Sequence, residues 1–315
     1  MLPDAGLRHP CTSSRIDNDG DWICHLQLKF RERAAPKGGP LAVLFKYLKE
    51  FEKHTGRNVI VYYSGFLFSG GNTGIQDEDM NGFMAAVHRM DKKKGLSLFL
   101  HTPGGLVSTT EGIGNYLRSV FGGDIECYVP HMAMSCGTLL AMGCRKIYMG
   151  KHSCLGPIDP ALGNYRADAV IEEFDNAKKD IASNANLSLL WQPIISKYPM
   201  TFLGECEKAK QLAEIVSRNW LRDGMLKGDK NAAKKIDEIV SVFASHKNSK
   251  MHDRHISPEE AAHVGLNVQL IEEDPKLQDL VLSVHHAATN YCKKENYARF
   301  ISNIKGLGLF VRNQN

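Results

Sequence analysis

Three pieces of one stretch decide the fold: FLHTPGG at 99–105, MAMSCGTLLAMG at 132–143 and LGPIDPAL at 155–162. The first places a Pro-Gly-Gly turn directly after a hydrophobic strand pattern, Leu96–His101. Two successive glycines let the backbone take positive φ and turn its N–H groups outward. The second places Ser135 in a turn of small residues that opens a helix, after a further strand pattern, IECYV at 125–129. Turns that follow successive parallel strands open on the same sheet edge, where α/β proteins bind ligands. Amides free to receive an oxyanion, and a hydroxyl aimed at the same point, are the parts that acyl transfer needs. On its own Ser135 is equally an N-cap, and the glycine turn an ordinary connector. Their juxtaposition is what points to chemistry. The N–H of Cys136 is a second oxyanion donor beside Gly104 and Gly105, and its thiol an alternative nucleophile.

Working outward, helical and strand patterns alternate from Leu41. Helical spacing over Leu41–His54, 77–92 and Val107–Phe121 is interleaved with short apolar runs at Asn58–Tyr63, Leu96–His101, Ile125–Val129 and Lys146–Met149. That order predicts β-α-β units and a parallel sheet. Beyond Pro160 the pattern turns mostly helical, over 168–196 and 206–245. Ser257-Pro258-Glu259-Glu260 reads as a capping box with proline at N1. A strand at 267–271 and a helix at 275–291 follow, and the last residues read as a basic tail. The predicted organisation is an N-terminal arm (1–40), an α/β domain over 41–272 that is mainly helical at 166–250, and a C-terminal helix and tail (273–315).

At 315 residues and 43% hydrophobic content the chain can bury a large core. A formal charge of +4 gives no reason to expect nucleic acid, and lysine clusters such as Lys92-Lys93-Lys94 read as solvated faces. No apolar run reaches membrane-spanning length, and no secretory signal pattern opens the chain. Eight scattered cysteines without CxxC spacing argue against a zinc site or a disulfide framework, and for a cytoplasmic setting. No cofactor or metal is expected.

HTPGG, then MSCGT about thirty residues on, then LGPIDP, resembles the serine dehydrogenase proteinase family of the Clp-protease/crotonase superfamily, related to signal peptide peptidase A. DRHISPEEA at 253–261 with Gly265-Leu266 is similar to a segment near the end of the Clp protease domain. The resemblance runs through about Leu41–Ile271. It implies an α/β fold built as a repeated β-β-α superhelix with a helical C-terminal extension. It also implies serine endopeptidase activity on a peptide or protein substrate, and a homo-oligomer. The arm and the tail are candidate docking elements for a regulatory protein partner.

The general base stays open. Clp protease carries a catalytic histidine in an HQP segment, and the matching residues here, Pro157-Ile158-Asp159-Pro160, lack it. One solution is a Ser–His–Asp set with Ser135 as nucleophile, His252 as base and Asp159 or Asp253 orienting it. The other is a Ser–Lys dyad with Lys178 or Lys179, about forty residues after the serine, as in signal peptide peptidase A relatives. Such a lysine needs burial or a neighbouring cation to act near pH 7. His101 and His131 flank the two turns, and a structural role is the simpler reading of each. His285 and His286 are adjacent on a helix, so they point apart and make a poor metal pair. Two competing functions remain: a crotonase-type acyl-CoA enzyme using the same oxyanion hole, and a catalytically silent scaffold.

Overall fold

The computed structural model describes residues 39–163, 165–244 and 254–313. The arm at 1–38 and the segment 245–253, with His252 and Asp253, lie outside the described residues. The first half follows the predicted alternation: α1 (Pro40–Thr55), β1 (Asn58–Ser64), α2 (Asp79–Val87), β2 (Leu96–His101), α3 (Val107–Phe121) and β3 (Ile125–Val129). Then come β4 (Met132–Ala133), α4 (Cys136–Met142), β5 (Lys146–Met149), β6 (Cys154–Leu155), β7 (Ala161–Leu162) and β8 (Tyr165–Arg166). Helices α5 (Ala167–Ser183), α6 (Ser188–Ile195), α7 (Phe202–Asp223) and α8 (Ala232–Phe243) fill the long helical stretch. The chain ends with α9 (Pro258–His263), β9 (Val268–Leu270), α10 (Pro275–Lys294), β10 (Tyr297–Asn303) and β11 (Gly308–Arg312).

The central sheet has seven strands in the order β11-β10-β1-β2-β3-β5-β9. β1, β2, β3, β5 and β9 run parallel, and the β10–β11 hairpin joins β1 antiparallel. Alternate residues of each strand serve two cores. Val59, Val61, Tyr63 and Phe99 pack with α1 and α10. Ile60, Tyr62, Leu98 and Leu100 pack with α2, α3, α4, α7 and α8 on the other face. With both faces covered, a strand reads as a continuous apolar run rather than an alternating one, which is why β1 and β2 were legible.

The C-terminus differs from the sequence expectation. Residues 297–312 form two strands of the central sheet, not a basic tail. Arg299 disguises β10: a guanidinium in a doubly buried strand is tolerated because it is paired there with Asp79. Ser257 caps its helix as expected, its Oγ accepting from the Glu260 N–H at 3.2 Å, while the Glu260 carboxylate pairs with Arg254.

A second, smaller ribbon positions the site. Thr102, just past β2, bridges Ala133 in β4; β4 pairs with β6; and Leu155 in β6 bridges Ile256. The three motifs quoted above and Ile256 are therefore neighbours across this ribbon.

Candidate active site

Ser135 lies between the short strand β4 and α4, with φ 51° and ψ −117°. A β-carbon makes this backbone region unfavourable by about 1–3 kcal/mol, so the surroundings must impose it. Ser135 occupies the N-cap position, yet its side chain makes no capping hydrogen bond. The ordinary N-cap reading is thereby removed, and a half-buried hydroxyl stands at a sharp strand-to-helix turn. Replacing Ser135 with glycine should relieve the strain. We expect Ser135→Gly to melt about 1–2 °C above the wild type, the shift that about 1 kcal/mol gives in a chain of this length; an unchanged or lower melting temperature would contradict the strained geometry.

The glycine turn lies against this serine. A Cβ built on Gly104, whose φ is +106°, would sit 2.7 Å from Ser135 Cβ and 3.0 Å from the Cys136 nitrogen. The Gly104 N–H is itself engaged by Thr102 Oγ1 at 3.2 Å, so what Gly104 contributes is close approach. The residues around Gly105 are held by Ile75: its N–H donates to Gly104 O at 2.7 Å, and its carbonyl accepts from Leu106 N–H at 3.1 Å. Along an extended chain successive residues alternate in direction. With 104 O and 106 N–H facing Ile75, the Gly105 N–H and carbonyl face the opposite side, where the carbonyl accepts from Cys136 Sγ at 3.0 Å. The Cys136 N–H is the first of α4, a position without an intrahelical acceptor. Two amides, from Gly105 and Cys136, thus border the serine.

The Cys136 thiol is a poor nucleophile here. It is 2% exposed. Burial pushes its pKa up, against contacts with Thr110, the Gly105 backbone and Ser135. A thiol must ionise to attack.

Asp159 is 1% exposed and accepts from Arg166 Nη2 at 2.7 Å and Nε at 3.2 Å. Thr138 ties its segment to the serine turn, donating to Ala133 O at 2.7 Å and accepting from the Gly156 N–H at 2.9 Å. Lys178 is placed differently. Its side chain is 65% exposed on α5, with its ammonium 3.1 Å from Asp175, and Lys179 beside it is exposed as well.

His101 and His131 meet a third imidazole, His285 of α10, with ring centroids 5.3–5.8 Å apart. Tyr63 O–H lies 3.3 Å from His285 Nδ1. Neither ring nitrogen of His101 has a hydrogen-bond partner among the described residues. Burial, then the neighbouring His131, brings its pKa down to about 4, with the Met132 backbone opposing. Burial, then His101 and His286, brings that of His285 to about 3. Burial also lowers His131. Among the described residues no group of three or more His, Cys, Asp or Glu side chains could hold a metal ion. The cluster has a consequence for stability. A histidine whose folded pKa lies below its unfolded value of about 6.5 binds its proton more readily when unfolded. Stability should therefore fall as the pH drops from about 6.5 towards about 4. The melting temperature should decline over that window, and less steeply in His101→Phe; identical slopes would contradict the assignment.

Residues that sequence reasoning missed act through backbone ties and an ion pair. Thr102 and Ile75 shape the glycine turn, and Arg166 meets Asp159. The threonines of HTPGG and MSCGT stood inside the motifs and could have been read as backbone ties. Ile75 carried no local signal.

Residues 66–281 match a family model described as ClpP-like SDH-type serine proteinase. Two uncharacterized proteins of Methanocaldococcus jannaschii are similar to this chain. One is 31% identical over 194 residues, 62% of this chain and 60% of that protein. The other is 28% identical over 231 residues, 70% of this chain and 71% of that protein. The chain thus spans about three fifths of the first relative's length. The family match takes in both glycines, Ser135, Asp159 and Lys178, and ends before β10.

Proposed function

The chain belongs to the ClpP-like SDH-type serine proteinase family, and from that premise we propose that it hydrolyses peptide bonds through an acyl-enzyme on Ser135. The observation that carries the reading is the serine itself: φ 51°, no capping bond, and Gly104 packed against it. Ser135 Oγ attacks the substrate carbonyl, and the N–H groups of Gly105 and Cys136 receive the developing oxyanion. The serine proton passes to the base, which returns it to the leaving amine; water then hydrolyses the ester. An acyl-CoA enzyme of the same superfamily would have no need of a serine held in strained geometry, which favours the peptidase.

We assign the base to His252, oriented by Asp159 or Asp253. Two described anchors support this. Phe243, before the segment, accepts from Ile158 N–H at 2.7 Å, and Ile256, after it, exchanges hydrogen bonds with Leu155. Both partners lie in the LGPIDP segment that begins in β6, and Gly156 of that segment is tied to the serine turn through Thr138. Lys178 has the opposite of what a lysine base requires: it stands in solvent beside the Asp175 carboxylate rather than buried or next to a cation. His252→Ala should lower kcat for peptide hydrolysis by at least about 10³-fold, while Lys178→Ala stays within about threefold. The reverse pattern would establish the dyad, and no peptide turnover by wild type would leave the scaffold reading.

The substrate in this proposal is an extended peptide or protein segment lying along Gly105–Leu106. A homo-oligomer fits the apolar residues left uncovered on and near α6: Leu189 is 74% exposed, Leu190 65% and Met200 93%. Sedimentation at a multiple of 35.1 kDa is the expected result, and a monomer would count against assembly. A regulatory protein partner docking on the N-terminal arm remains part of the proposal. The cytoplasmic setting rests on the six described cysteines being free. No described helix is long and apolar enough to cross a membrane.

A further inference from the structure

The C-terminal hairpin reaches the glycine turn through an ion pair that takes no part in the chemistry assigned to Ser135. Arg299 of β10 is 1% exposed. Its Nε donates to Asp79 Oδ1 at 2.8 Å, its Nη1 to Asn72 O at 2.7 Å, and its Nη2 to Glu78. Asp79 is wholly buried. Its other oxygen, Oδ2, accepts from the Tyr62 hydroxyl at 2.9 Å and from the Gln76 N–H at 3.0 Å. Gln76 follows Ile75, whose two backbone hydrogen bonds hold the peptide units on either side of Gly105. The same loop is pinned at its start, where Ser64 Oγ donates to Thr73 O at 2.6 Å, and at its end, where Thr109 meets Asp77.

Hydrogen bonds and one chain step therefore run from Arg299 to the turn that faces the serine. Net stability is a weak account of such a buried pair. Removing two charges from water is costly, and apolar replacements of similar volume are often as stable. What an apolar pair cannot do is fix the direction of a backbone. A guanidinium donating from all three nitrogens of its rigid fork sets the Asn72–Asp79 loop in one place, and the loop sets Ile75.

We propose that Arg299, acting through Asp79, is a positioning residue that holds the Gly104–Leu106 segment in place against Ser135. The proposal rests on the acyl-transfer reading of the site. Arg299 lies beyond the family match, which ends at residue 281, so this chain aligns its catalytic turn with an element outside the matched region.

The test uses the full chain, a fluorophosphonate probe for the rate of Ser135 labelling, and hydrogen exchange at the Ile75 and Leu106 amides. Arg299→Lys keeps the charge and loses the fork; Tyr62→Phe removes a single hydroxyl. Leu48→Ala, in the α1 core, supplies a destabilised control. We expect labelling per folded molecule to slow at least about tenfold in Arg299→Lys and about threefold in Tyr62→Phe, with exchange at both amides accelerated, and to stay within about twofold in Leu48→Ala. Wild-type labelling rates in folded Arg299→Lys and Tyr62→Phe, or equal slowing in Leu48→Ala, would overturn the proposal. If Arg299→Lys fails to fold, Tyr62→Phe decides alone. If the wild type takes no label, the acyl-transfer reading has failed, and exchange decides the link by itself. Faster exchange confined to the hairpin and loop variants then sustains it, and unchanged protection overturns it.

Discussion

Gly104→Ala should leave a folded protein that has lost almost all acyl-transfer activity. The added methyl would meet Ser135 Cβ at 2.7 Å, Met134 O at 2.9 Å and the Cys136 nitrogen at 3.0 Å. None of these atoms belongs to a flexible side-chain end, so no rotamer change makes room. The backbone φ of +106° adds strain for any L-residue, about 1–3 kcal/mol. The turn must move away from the serine, and the Gly105 and Cys136 amides move apart with it. Loss of an aligned oxyanion donor and a displacement near 1 Å are together worth about 10³-fold in kcat. Steady-state hydrolysis of a peptide ester or amide, beside a thermal melt, checks this. A variant that melts within several degrees of wild type but keeps a tenth or more of its kcat would show that the turn is a connector.

Ser135→Ala should have a larger effect on turnover and a smaller one on structure. The hydroxyl caps nothing, and the alanine keeps the β-carbon and its strain, so the fold is expected to survive. Removing the nucleophile of a serine hydrolase costs about 10⁴–10⁶-fold in kcat, the remainder coming from the oxyanion donors and binding. Cys136→Ala should stay within about tenfold, because the buried thiol is held in its neutral form and its backbone N–H persists in alanine. A Ser135→Ala protein that turns over peptide at the wild-type rate would place the chemistry elsewhere.

The sequence revealed what was local. β1, β2 and β3 are short apolar runs between turn residues, and HTPGG and MSCGT carry their small residues in contiguous order. The backbone angle at Ser135 was not legible, because MSCGT is equally the start of an ordinary capped helix. It goes with the close approach of Gly104, thirty-one positions earlier. Arg299 hid a strand by carrying charge into a doubly buried position, and its partner Asp79 lies 220 residues away. Lys178 had the spacing of a dyad lysine, but spacing along a helix does not say which face it occupies. The ion pair with Asp175 does. Ile75 exerts its influence through backbone hydrogen bonds alone, and these have no side-chain signature.

The most direct test of the account is the site of covalent attack. The folded wild-type chain is incubated with a fluorophosphonate, digested and mapped by mass spectrometry. One adduct per protomer is expected, on Ser135, absent from Ser135→Ala and slowed in Gly104→Ala. A folded protein with no adduct, or one labelled equally well after Ser135→Ala, would contradict it.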